Sequence, residues 1–198
     1  MSENQAPKMQ VQDLKAIIES LLFVSPEPMS RKQISQMIDG TSLDEIESAI
    51  RLIQEDCDKP GRGIQCVEVA GGFSFTTQPD CGPWVKRFVA GKPKLSRSGL
   101  EVLAIVAYKQ PITRPEIEDV RGVDTGGVMR TLLERRLVRI LGRREGVGRP
   151  VIYGTTNDFL KTFGLNNLKD LPPIRELGQP ALAAQVQQPQ QQVVNFDS

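Results

Sequence analysis

Two stretches of this sequence repeat one another in step. Glu27-Pro28-Met29-Ser30-Arg31-Lys32-Gln33-Ile34 lines up with Gln110-Pro111-Ile112-Thr113-Arg114-Pro115-Glu116-Ile117 at an offset of 83 residues, keeping proline, an apolar residue, a hydroxyl, arginine and isoleucine in register. Without any gap, the same offset sets Ile46 on Met129, Ala49 on Leu132 and Ile50 on Leu133. Self-similarity at a constant spacing, through a turn pattern and an apolar stripe together, means one supersecondary unit used twice. The register breaks after Ile53, which meets Arg136, so the two copies are expected to end this shared helix differently.

In the first copy, Leu14, Ile17, Ile18, Leu21 and Leu22 recur at helical spacing, predicting a helix over 12–24 that the prolines of Ser25-Pro26-Glu27-Pro28 end. Ser30 with Gln33 and Ser42 with Glu45 both have capping-box spacing. The first box opens a short helix with Ile34, Met37 and Ile38 inward, stopped at Gly40; the second opens a longer one with Leu43, Ile46, Ala49, Ile50 and Ile53 inward. Segments 64–69 and 73–77 flank Ala70-Gly71-Gly72 and predict a β-hairpin. Three helices followed by a hairpin is the order of a winged helix.

Residues 83–92, with Trp84, Val85, Phe88 and Val89, read as a connecting helix that packs onto one domain and leads into the next. The pattern then restarts. A helix carrying Leu100, Val102, Leu103, Ile105, Val106 and Ala107, capped by Ser96 or Ser98, turns at Gln110-Pro111-Ile112 into a short helix capped by Thr113. A helix over 124–136, a strand over 137–141, a basic glycine-rich loop over 142–150, a strand over 151–155 and a closing helix over 156–163 complete the second copy. The expected fold is mainly α with small β-hairpin wings (α+β): two tandem winged-helix domains at 12–82 and 95–165, joined by a connecting helix or linker at 83–94. Residues 1–11 are expected to be flexible, and the Pro/Gln-rich tail at 166–198, with no periodicity, to be disordered.

Composition narrows the function. The chain of 198 residues contains no histidine, which removes Ser-His and Cys-His nucleophile pairs, HExxH metal sites and the commonest general base near neutral pH. Cys57, Cys66 and Cys81 form no CxxC pair and suggest neither a disulfide framework nor a zinc cluster. Gly61-Arg62-Gly63 lacks the third glycine of a dinucleotide fingerprint, and no phosphate-binding GxxxxGK[ST] occurs. The reading is a non-enzyme with no catalytic, cofactor or metal residues. The first residues lack the apolar core of a secretory signal and no membrane-length apolar run occurs, so a cytoplasmic protein is expected.

Charge divides the copies. Residues 1–80 hold 7 basic and 13 acidic side chains, residues 81–160 hold 15 and 8. The third helix of the first copy shows Asp44, Glu45, Glu47, Glu55 and Asp56 outward, which a polyanion would repel. The third helix of the second copy starts Asp124-Thr125-Gly126-Gly127, with almost no side-chain reach toward base edges. Around it Arg135, Arg136, Arg139, Arg143, Arg144 and Arg149 form a basic stripe, a candidate non-specific DNA contact, against the plainer reading of a solvated face. Leu14, Ile18, Leu21, Leu22 and Phe23 are candidates for a self-association surface, since small domains often complete a thin core by dimerising. Leu100, Leu103, Val106 and Tyr108, on a helix richer in apolar residues than one small domain requires, are candidates for a groove that takes a partner helix.

The runs IIESLLFVSPEPMSRKQI within 14–34, LSRSGLEVLAIVAYKQPITRPEIEDVRGVD at 95–124 and LLERRLVRILGRREGVGRPVIYGTT at 132–156 resemble the segregation and condensation protein B (ScpB) family, over about residues 12–165. The resemblance implies a homodimeric, non-enzymatic accessory subunit of the bacterial SMC-condensin complex, acting in chromosome condensation and segregation and associated with the nucleoid. It implies that the partner is the kleisin ScpA, which bridges the heads of an SMC ATPase. It further implies dimerisation chiefly through the N-terminal winged helices, with the kleisin segment, for which the groove at Leu100 to Tyr108 is the candidate, threading against both domains. The competing reading is a winged-helix DNA-binding transcriptional regulator, against which the glycines at 126 and 127 speak.

Overall fold

The computed structural model describes residues 10–89, 94–146 and 148–173, which fall into two compact units, one ending at Phe88 and the other starting at Val89. Both have an α+β, winged-helix-like architecture, and each has its own apolar core.

The first unit runs α1 (Val11–Val24), α2 (Arg31–Met37), α3 (Leu43–Cys57), β1 (Ile64–Val69), β2 (Gly72–Thr77), a 3-10 turn at Pro79–Cys81 and α4 (Gly82–Phe88). Both expected capping boxes form: Ser30 and Gln33 open α2, and Ser42 and Glu45 open α3. Each satisfies backbone donors that the first helical turn leaves without partners. Ile18, Ile34, Ile46, Ile50 and Ile53 are wholly buried and meet Leu14, Leu22, Phe73, Cys57 and Cys66 in one core. β1 and β2 pair antiparallel from Ile64 against Thr77 to Val69 against Gly72. Their two-residue turn places Ala70 at φ 52° and Gly71 at φ 78°, the left-handed pair that matches the twist of a hairpin. Met29, outside the hairpin, bridges to Phe73 and so ties the α1–α2 turn to the edge of β2.

The second unit runs α5 (Arg97–Lys109), β3 (Ile112–Thr113), α6 (Arg114–Arg121), α7 (Gly126–Glu134), β4 (Val138–Arg143), β5 (Val151–Thr155), α8 (Asn157–Phe163) and a 3-10 turn at Leu168–Asp170. α6 and α7 start 83 residues after α2 and α3, so the internal repeat seen in sequence is a repeat of helix starts. Ile34 and Ile117 are both fully buried, as are Ile46 and Met129, and Ala49 and Leu132; only Leu133, opposite Ile50, is partly exposed. The helices end differently, as the lost register requires: α3 continues to Cys57, whereas α7 stops at Glu134 and Arg136 turns back at φ 56°. The sheet has the order β3-β5-β4, with Ile112 paired to Tyr153.

Three expectations need correction. The helix expected over 83–92 ends at Phe88; residues 90–93 lie outside the described residues. Trp84 and Phe88, read as packing residues, are 67% and 88% exposed, because a seven-residue helix offers one narrow face and here that face carries neither of them inward. The chain does not lose structure at residue 166: Asn167 caps the 3-10 turn at 168–170, and Leu165 and Leu171 pack on the second core. Residues 1–9 and 174–198, expected to be flexible, lie outside the described residues.

Candidate functional site

α1 has to close its own unit before it can serve anything else. Its stripe at Leu14, Ile18 and Leu22 is buried in the core, and Leu21 is half-buried against it. This corrects the assignment of Leu14, Ile18 and Leu22 to a self-association surface: a thin three-helix core needs that stripe for itself. What α1 presents outward is Ile17, Phe23 and Val24, with Ala16 and Ser20 on the same side and Phe23 at 77% exposure. Spacings of three, four and seven residues put these on one face. Of the five candidates, Phe23 alone is freely available.

α5 is spent in the same way. Leu103 and Val106 lie inside the second core, and Leu100 and Tyr108 are half-buried. The Tyr108 hydroxyl donates to the carbonyl of Pro172 at 2.6 Å, so the segment beyond α8 already covers that end of the helix. The expected open groove along Leu100, Leu103, Val106 and Tyr108 is therefore filled by the unit's own core and by its own chain. Sequence reasoning missed the exposed aromatic pair Trp84 and Phe88. Their spacing of four on a helix is the signal that was present.

The arginine stripe divides by partner. Arg144 Nη1 donates to Glu116 Oε1 at 2.7 Å. Glu116 Oε2 accepts from the Thr113 backbone N–H and hydroxyl, and the Arg144 guanidinium, with these two donors, holds the Glu116 carboxyl at about 2. Arg135 is half-buried at the end of α7. Arg136, Arg139, Arg143 and Arg149 are exposed and form no ion pair among the described residues. Arg139 Nε donates to the Thr155 carbonyl and Arg143 Nη1 to the Arg149 carbonyl, both at 3.3 Å. Arg136 and Arg139 also line a groove of about 760 Å³ whose apolar wall is Leu133, Leu160 and Leu168.

α7 does not have the surface of a reading helix. Gly127 is exposed without a side chain, and Arg130 is held by Glu134 at 2.9 Å. Base-edge recognition needs extended donors and acceptors at those positions. Burial pushes the Cys66 thiol up to about 12 and raises Cys57 as well, so these core thiols stay protonated. Among the described residues no group of three His, Cys, Asp or Glu side chains is placed to hold a metal ion, and no helix is long and apolar enough to cross a membrane.

Comparison with known proteins identifies the family of the chain. Residues 16–174 match the family described as segregation and condensation complex subunit ScpB. Segregation and condensation protein B of Myxococcus xanthus is 44% identical over 174 residues, 87% of this chain and 53% of that protein, so this chain spans about half of that relative's length. The protein of the same name from Syntrophotalea carbinolica is 43% identical over 169 residues, 85% of each chain. Among solved structures, a dimer of a ScpB N-terminal domain complexed with an ScpA peptide is 36% identical, covering 40% of this chain and 98% of that one, with a TM-score of 0.38. The kinship rests on sequence, carried through both units: this chain belongs to the ScpB family.

Proposed function

We propose that the chain is a non-enzymatic subunit of a bacterial SMC-kleisin complex that acts in chromosome condensation and segregation by dimerising and by binding the kleisin ScpA. The SMC ATPase is then reached through ScpA, in the cytoplasm at the nucleoid. The observation that carries this reading is the ScpB family match over residues 16–174, which takes in both units. Residues 12–82 and 95–165 serve as the two working domains, with 83–94 between them.

A related ScpB N-terminal domain forms a dimer complexed with an ScpA peptide. By sequence identity, that arrangement supports seeking the dimer face and a peptide contact in the first unit, which runs to Phe88 and where apolar side chains stand exposed. The dimer face is the side of α1 bearing Ile17, Phe23 and Val24. Two copies of one face pack on each other in a twofold dimer, so every apolar residue counts twice. Trp84 and Phe88 are exposed aromatic side chains of the kind that anchor a bound peptide, and they are the candidates for the ScpA contact.

Size-exclusion chromatography with light scattering, alone and with ScpA, tests the reading. A dimer that co-elutes with ScpA is expected, and Trp84→Ala with Phe88→Ala weakens the complex while leaving the dimer. A monomer that ignores ScpA overturns it.

A further inference from the structure

We propose that Arg136, Arg139, Arg143 and Arg149 form a surface that binds the phosphate backbone of double-stranded DNA without base preference. The proposal goes beyond the ScpA reading and stands whether or not ScpA binds.

Apart from Arg135, ion pairing sorts the described arginines of the second unit into two sets. Arg97, Arg114, Arg121, Arg130 and Arg144 each hold a carboxylate. The four named above hold none among the described residues, and they are contiguous along one strand, its preceding turn and its following loop. Two of them are oriented by backbone carbonyls, which fix a guanidinium without neutralising it. The bond from Arg143 to the Arg149 carbonyl also draws the two ends of the wing together, and with them two like charges. The nearby carboxylates are committed elsewhere, Glu116 to Arg144 and to the N-cap of α6, and Asp158, which lines the groove with Arg136 and Arg139, to Lys161. Glu145, on the wing itself, forms no ion pair with any of the four. A cluster of like charges held in place and left unbalanced suits a polyanion.

Geometry separates a duplex from an acidic peptide. At about 3.3 Å per residue, Arg139 to Arg143 spans roughly 13 Å of β4. Duplex DNA presents a charge about every 1.7 Å of its axis, so several phosphates lie within reach of such a span. An extended peptide would instead pair with the open edge of β4, the outer strand of the β3-β5-β4 sheet. That edge is broken by a bulge between Ile140 and Gly142 and carries arginines on both sides of it, the features that discourage strand addition. Sequence independence follows from α7, where Gly126, Gly127 and the Arg130–Glu134 pair leave nothing to probe base edges.

The test is fluorescence anisotropy of the full chain with a labelled random duplex of roughly 30 base pairs between about 50 and 200 mM salt. Four neutralised phosphates give a slope of log K against log salt near −3.6, about a 150-fold loss over that range. Arg136→Gln/Arg139→Gln/Arg143→Gln/Arg149→Gln removes this binding, whereas Arg97→Gln/Arg130→Gln, which alters paired arginines, retains it. Circular dichroism melting checks each variant; should the fourfold variant fail to fold, Arg139→Gln/Arg143→Gln is expected to lower the slope by about half. No duplex binding at 50 mM salt, equal loss from both sets of variants, strong preference for one sequence, or binding of polyglutamate in place of the duplex would each overturn the proposal.

Discussion

Met29 and Phe73 exchange both backbone hydrogen bonds, Met29 N–H to the Phe73 carbonyl at 2.9 Å and Phe73 N–H to the Met29 carbonyl at 2.8 Å. The Arg31 guanidinium lies 4.6 Å above the Phe73 ring and also binds Glu47 and Glu68, so a turn, a helix and the hairpin are tied at one point. The approach depends on Gly72, where a Cβ would stand 2.8 Å from the backbone carbons of Pro28 and Met29. Backbone cannot yield as a flexible side chain can. Gly72→Ala is therefore expected to destabilise the first unit by about 1–3 kcal/mol, as overpacking does. Urea unfolding followed by circular dichroism measures it, and an unchanged midpoint would refute the close-approach account.

Ile18 and Phe23, five residues apart on α1, should fail in different ways. Ile18 is wholly buried, so Ile18→Ala opens a cavity and costs about 2–5 kcal/mol of folding stability. Phe23 is 77% exposed, so Phe23→Glu leaves the fold intact and acts on the dimer. Removing about 1.5–3 kcal/mol of apolar burial from each copy loosens association at least about 100-fold. Light scattering across a dilution series with parallel thermal melts distinguishes the two. Loss of the dimer by Ile18→Ala at unchanged stability would return the inner stripe to the interface.

Glu116 joins the wing to α6 through Arg144 and caps the helix through Thr113. Its folded pKa, about 2, lies below the ordinary carboxylate value, so its contribution is present above the unfolded pKa near 4 and is lost as pH falls through the folded value. The pair is more than a third exposed on both sides, which keeps the effect small. Glu116→Gln should cost about 0.5–1 kcal/mol at pH 7, a few degrees in melting temperature, and the gap between wild type and variant should close by about pH 2. A gap that stays constant with pH would remove the charged pair from the explanation.

The sequence announced what is periodic or capped and hid what is made by a single contact. The offset of 83 residues was legible because α2 and α6 open with the same kind of capping box, and α3 and α7 bury equivalent positions. β3, only Ile112–Thr113, has no period to detect and exists because Tyr153 and Ile152 stand opposite it. The partner surfaces were harder still, since periodicity marks an apolar stripe without saying what covers it: Leu14, Ile18, Leu103 and Val106 show the same pattern whether they face a core or a partner. The six arginines likewise looked uniform until Glu116 was seen to occupy Arg144.

Tyr108 provides the last test, because it separates a covered helix from a binding groove. Its hydroxyl donates to the Pro172 carbonyl at 2.6 Å, and Leu165 and Leu171 pack on the same core beside it. Tyr108→Phe keeps the ring and loses one partly buried hydrogen bond, an expected cost of about 0.5–1.5 kcal/mol. Leu171→Ala removes apolar packing from the same strap and should act in the same direction. Both changes belong to the second unit's own stability, so ScpA affinity measured by calorimetry on the full chain is expected to stay within about twofold, less than 0.5 kcal/mol. A large fall in ScpA affinity with no fall in melting temperature would show that α5, and not the exposed face of the first unit, receives the kleisin.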